Sequence, residues 1–102
     1  MSALESKIKS KELDLFFESI LKLENIEECY MFFEDVATIT EVKSLAQRLH
    51  VAKLLKLKKT YAEIAEITGA STATISRVNR CLNYGSDGYN LILDRLDEEE
   101  KE

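Results

Sequence analysis

One hundred and two residues and 11.7 kDa suffice for one small domain and exclude two. With 45% hydrophobic and 32% charged residues, no proline and three glycines, the chain is neither disordered nor a turn-rich β protein, and long helices are expected. Its longest stretch without a charge is the ten residues 67–76, short of the roughly 20 apolar residues of a membrane span. No signal segment opens the chain either, so a soluble, cytoplasmic protein is expected.

Residues 11–24 set Leu13, Phe16, Phe17, Ile20 and Leu21 at helical spacing. Asn25 followed three later by Glu28 resembles a cap and opens a second helix through about Val36. There Ile26, Cys29, Tyr30, Phe32, Phe33 and Val36 cover so much of the circumference that burial on several sides is expected. Thr38 with Glu41 forms a capping box ahead of a long helix carrying Val42, Leu45, Ala46, Leu49, Ala52 and Leu55 on one face. Nothing breaks it before Lys59, which predicts a rod of about 28 Å. A second box, Thr60 with Glu63, starts a short helix to about Ile67. Gly69 supplies a left-handed turn, and Ser71 or Thr72 caps a helix to about Leu82. Residues 83–88 read as a loop, with Gly85 and Gly88 accounted for by positive φ. A last helix, about 89–96, precedes an acidic tail, 97–102, expected to fray. The fold class is all-α, with six helices.

The net charge of -5 is unevenly distributed. Residues 1–42 carry -6 and residues 81–102 carry -5, whereas residues 43–80 carry +6. An acidic chain with such a segment can still bind phosphate, because exposed charges more than about 10 Å apart are largely screened. Cys29 and Cys81 are expected as free, mostly packed thiols, and with a single histidine, His50, no metal site is expected. Ser76 and Cys81 lack activating partners in sequence and no phosphate-cradling glycine loop exists, so no enzyme is expected.

The informative stretch is residues 60–80. A helix-turn-helix needs a small residue where its helices approach, a tight turn and apolar pins. Ala65, Gly69 and the trio Ile64, Ile75 and Val78 meet these needs. The second helix presents Ser71, Thr72, Ala73, Ser76, Arg77 and Arg80, with no carboxylate between residues 71 and 80. Small donors permit close approach to a major groove and arginines reach base edges, so these six are the candidate base contacts. Lys56, Lys58, Lys59 and Thr60 are the candidate phosphate contacts.

This motif, with the Thr38 to Glu41 entry, residues 46–49, residues 69–80 and residues 81–85, resembles the Trp-repressor superfamily and its YerC/YecD branch. The resemblance spans about residues 12–96. It implies a six-helix Trp-repressor-like domain over 1–102, with the helix-turn-helix at about 60–82. Dimerisation helices at about 11–58 and 89–96 would interlock two subunits as an intertwined homodimer. The five aromatics Phe16, Phe17, Tyr30, Phe32 and Phe33 also exceed what one small core would use. The function implied is sequence-specific binding of double-stranded DNA by a transcriptional regulator that represses by occupying its operator. Arg77, and Arg48 at a spacing one residue shorter, match arginines that help hold tryptophan in Trp repressor. Val78 stands where that protein has glycine, which argues against tryptophan as corepressor, and no cofactor is expected. The competing class is a helical protein-interaction module that keeps the motif as scaffold.

Overall fold

A computed structural model describes residues 6–101, which form six α-helices with no strand among the described residues. They are α1 (Lys11–Ile20), α2 (Ile26–Val36), α3 (Ile39–Lys56), α4 (Tyr61–Thr68), α5 (Thr72–Tyr84) and α6 (Gly88–Lys101). Two compact units divide the chain between Val42 and Lys43. No helix of the described residues is long and apolar enough to cross a membrane.

Local chemistry sets most boundaries in the first unit. Ser10, in extended backbone, accepts from the Leu13 amide at 3.1 Å and starts α1. The helix ends at Ile20, four residues before the sequence expectation, in a turn where Lys22 and Leu23 bond back to Ser19 and Ile20. The chain must leave the helix there, because Asn25 is extended to cap α2, accepting from Glu28 N at 2.9 Å. Glu28 reaches back to the Glu24 amide at 2.9 Å. Between α1 and α2, Phe16 meets Phe32 and Phe33 with ring centroids 6.0 and 6.3 Å apart, and Phe32 meets Phe33 edge-on at 5.5 Å.

The expected burial of α2 on several sides is not found within the unit. Neither α1 nor α2 contains a buried residue; Ile26 is 76% exposed and Leu21 82%. Two helices can cover only the strip along which they touch. Cys29 and Cys81 are free as expected, but both are exposed rather than packed.

The second unit holds the core: Val51, Ala52 and Leu54 of α3, Ile64 of α4, Ala70 of the turn, Ile75 and Val78 of α5 and Leu93 of α6. Leu45 and Ala46, expected on the buried face of α3, are exposed. α3 begins at the Thr38 box, with Thr38 N donating to Glu41 Oε1 at 2.8 Å and Glu41 N to Thr38 Oγ1 at 3.2 Å. It closes at Lys56 rather than Lys59. Lys58 N bonds Leu55 O at 3.0 Å and Lys59 N bonds Leu54 O at 3.1 Å, the paired bonds of a Schellman turn, with Lys58 left-handed at φ 65°.

Two other expectations change. α5 runs on through Tyr84, so Asn83 and Tyr84 are helical, and α6 extends through the acidic residues to Lys101; Glu102 lies outside the described residues. Gly85 does not have positive φ. It is at φ -88°, and a Cβ there would lie 2.5 Å from the Cys81 carbonyl oxygen, so close approach is what demands glycine. The left-handed residue of this loop is Asp87 (φ 67°), and Gly88 needs no special conformation and has open space around it.

Candidate nucleic-acid interface

The interface is built outward from three buried side chains. Ile64 and Ile75 are 0% exposed and Val78 1%, which fixes one side of α4 and of α5 against the core. Residues in a helix turn about 100° each, so the side of α5 opposite Ile75 and Val78 carries Ala73, Arg77, Arg80 and Tyr84. All four are exposed; Ser76 is half-buried at the edge of this stripe, and Thr72 is exposed near the helix start. Tyr84, at 87% exposure, ends the stripe and belongs with it, although composition had suggested a loop. The signal for it was its spacing of four from Arg80 and seven from Arg77.

The turn ahead of α5 is tightly held. Gly69 is left-handed at φ 75°, and its amide bonds Ala65 O at 2.8 Å. Thr68 Oγ1 donates to Ile64 O at 2.8 Å and accepts from the Ala70 amide at 3.1 Å. Gln47 Nε2 donates to Thr68 O at 3.1 Å, tying α3 to the turn. No local sequence pattern marks Gln47 for this role. Ser71 caps α5: its hydroxyl accepts from Thr74 N and donates to Thr74 Oγ1, both at 3.1 Å. That hydroxyl is therefore occupied on both counts.

The expected phosphate contacts fall into two groups. Lys58, Lys59 and Thr60 are exposed where α3 turns into α4. The Thr60 box is complete, with Glu63 N donating to Thr60 Oγ1 at 3.2 Å and Thr60 N to Glu63 Oε1 at 3.1 Å. Those backbone and side-chain bonds from Thr60 hold the Glu63 carboxyl below its ordinary range, with a further push from Lys59. Lys56 differs: its Nζ lies 3.1 Å from Asp94 on α6.

Of the residues matched to a ligand site, Arg48 is half-buried and Arg77 exposed, while Val78 is packed into the core. Burial raises the Tyr89 hydroxyl pKa, Cys81 adds to the rise, and the Arg48 charge opposes it. No group of three metal-ligating side chains exists among the described residues.

Comparison with known proteins agrees with this geometry. The family model described as Trp repressor protein matches residues 11–97. The uncharacterised protein YerC of Bacillus subtilis (strain 168) is 59% identical over 96 residues, which cover 94% of this chain and 92% of YerC. Two crystal structures superpose with a TM-score of 0.86: a Trp-repressor-type protein from Staphylococcus aureus and a TrpR like protein from Eubacterium eligens ATCC 27750. The first is 55% identical, covering 89% of this chain and 91% of its own. The second is 56% identical, covering 89% and 94%. Family model, sequence and backbone agree: the chain belongs to the Trp repressor family, in its YerC-like branch.

Proposed function

We propose that this protein is a sequence-specific DNA-binding regulator that acts as a homodimer and represses by occupying its operator. The observation that carries the reading is the outward stripe of α5, Ala73, Arg77, Arg80 and Tyr84, cationic and free of carboxylates in a chain that is acidic overall. Thr72, Ala73, Ser76, Arg77 and Arg80 meet base edges, and Ser71 sets the start of the helix through its cap. Tyr84 and the exposed Lys58, Lys59 and Thr60 meet the sugar–phosphate backbone. A two-fold dimer presents two such helices to successive major grooves about 34 Å apart, so the operator is near-palindromic. The Trp repressor family is one of regulators, not enzymes.

Selection from a random duplex pool with the purified protein identifies the operator. On that operator Arg77→Ala and Arg80→Ala each weaken binding by about 1–3 kcal/mol if they make good base contacts. Unchanged affinity in a folded double variant removes the assignment. One observation also suits the rival protein-interaction module, the exposed apolar side of α1 and α2, which a second copy or a different protein would cover equally well. Salt separates the two readings: DNA affinity falls with a log–log slope of about -0.9 per neutralised phosphate, whereas an apolar protein contact responds little.

A further inference from the structure

α6 departs from expectation in a way that bears on the lysines of α3. Its acidic end should fray, because carboxylates near a helix C-terminus oppose the macrodipole. It is helical through Lys101 instead, and two of its acids meet lysines of α3. Lys56 Nζ is 3.1 Å from Asp94 Oδ1, and Lys53 Nζ is 3.9 Å from Glu100 Oε1. The order of the pairs, the later lysine with the earlier acid, means that the two helices pass in opposite directions along this edge. Leu57, Leu93 and Leu96 line a groove of about 400 Å³ here together with the paired side chains and Asp97.

The charge layout gives these pairs a consequence. Lys53 and Lys56 belong to the +6 segment, residues 43–80, and the acids that meet them come from the -5 segment, residues 81–102. A carboxylate held at a lysine ammonium does what a nucleic-acid phosphate would do there.

We propose that Asp94 and Glu100 act as tethered stand-ins for phosphate, occupying Lys56 and Lys53 in the free protein so that duplex DNA must displace them. The inference rests on the DNA-binding reading above. The device selects against indiscriminate binding. A duplex that engages only the lysines gains little, because it exchanges one anion for another, whereas a duplex that also engages α5 gains the base contacts as well. Exposed pairs of this kind hold their partners by a factor of about 1.5 to 5 each, which DNA can overcome.

The test is titration of a labelled non-specific 20-base-pair duplex at low salt with the full chain. Asp94→Asn with Glu100→Gln is compared with Glu98→Gln and Glu99→Gln, which remove the same charge from the same helix outside the two pairs. The first double variant is expected to bind about two- to tenfold tighter than the second. On a background of Lys53→Met and Lys56→Met that advantage should vanish. Circular dichroism verifies that each variant keeps its helix content. Equal affinity of the two double variants overturns the proposal and leaves the DNA-binding reading intact. An advantage that persists without the lysines overturns it as well, since the acids would then act elsewhere. Failure of the unaltered protein to bind any duplex, non-specific or selected, defeats the DNA-binding reading itself and this inference with it.

Discussion

The two units of the chain treat apolar residues in opposite ways. The first contains all four phenylalanines, stacked between α1 and α2, yet no described residue of it is buried. The second contains no phenylalanine and buries Val51, Ile64, Ile75 and Val78 almost completely in a cluster of aliphatic side chains, with Tyr89 packed against it. What separates them is the number of surfaces. Residues of α3, α4, α5, α6 and the turn at Ala70 converge on one point in the second unit, whereas two helices cannot exclude water from both sides of an aromatic stack. The exposed apolar residues of the first unit are what the proposed homodimer would use.

The largest expected effect comes from charging that open surface. Leu15→Glu with Tyr30→Glu alters side chains 65% and 66% exposed, so in an isolated chain it would cost little. Because a second copy is expected to cover them, the pair should lose about 3–6 kcal/mol of association, at roughly 1.5–3 kcal/mol per buried side chain. Sedimentation should then show monomer, and the melting temperature should no longer rise with protein concentration. A variant that sediments and melts like the parent breaks the comparison.

Ile64→Ala tests the other unit. It opens a cavity in a complete core and should cost about 2–5 kcal/mol in denaturant unfolding. A loss below 1 kcal/mol would mean that the second unit is less closely packed than its burial implies.

Smaller effects separate two kinds of glycine in the second unit. Gly85→Ala drives a Cβ against the Cys81 carbonyl and should cost about 1–3 kcal/mol, whereas Gly69→Ala meets no atom and pays only for its left-handed backbone, about 1 kcal/mol. Gly88→Ala should be neutral or slightly stabilising. Thermal melts of the three variants should rank in that order.

The smallest effect is electrostatic. The folded Glu63 carboxyl titrates below its ordinary value of 4.5, chiefly through the hydrogen bonds of Thr60. Its contribution is thus fully present above the unfolded value and is lost as pH falls through the folded one. The melting-temperature difference between the parent and Glu63→Gln should be constant near neutrality and shrink on acidification below about 4.5, the ordinary glutamate range. Glu41, held the same way by Thr38, should behave alike in the helix that joins the two units.

What was legible in the sequence was local. Both Thr–x–x–Glu boxes, the left-handed Gly69 and the α5 cap, at Ser71 of the two candidates Ser71 and Thr72, depend on neighbours within a few residues and are found as expected, and the trio Ile64, Ile75 and Val78, read from helical spacing, is buried. What was missed depends on distant partners or on conformations that glycine usually takes. Gln47 acts on a turn 21 positions away, and α6 is longer than expected beside lysines 38 and 47 positions earlier. Lys58 and Asp87 adopt positive φ without being glycine, while Gly85 does not. For the candidate site, the exposed character of Arg77 and Arg80 followed from helical spacing. The Lys56 pairing did not, since its partner lies on another helix.

The first turns of α1, α2, α3 and α4 each carry an acidic side chain; those of α5 and α6 carry none, but Asp87 stands directly ahead of α6, whereas no carboxylate flanks the start of α5. The peptide dipoles at the head of α5 thus project an unbalanced positive potential, stabilising an incoming anion by about 0.3–1 kcal/mol where solvent exposure is high. The segment proposed to meet DNA therefore lacks an anion of its own at its start. Its leading amides should exchange with deuterium faster than those of α4 in the free protein and slow most when a duplex is added.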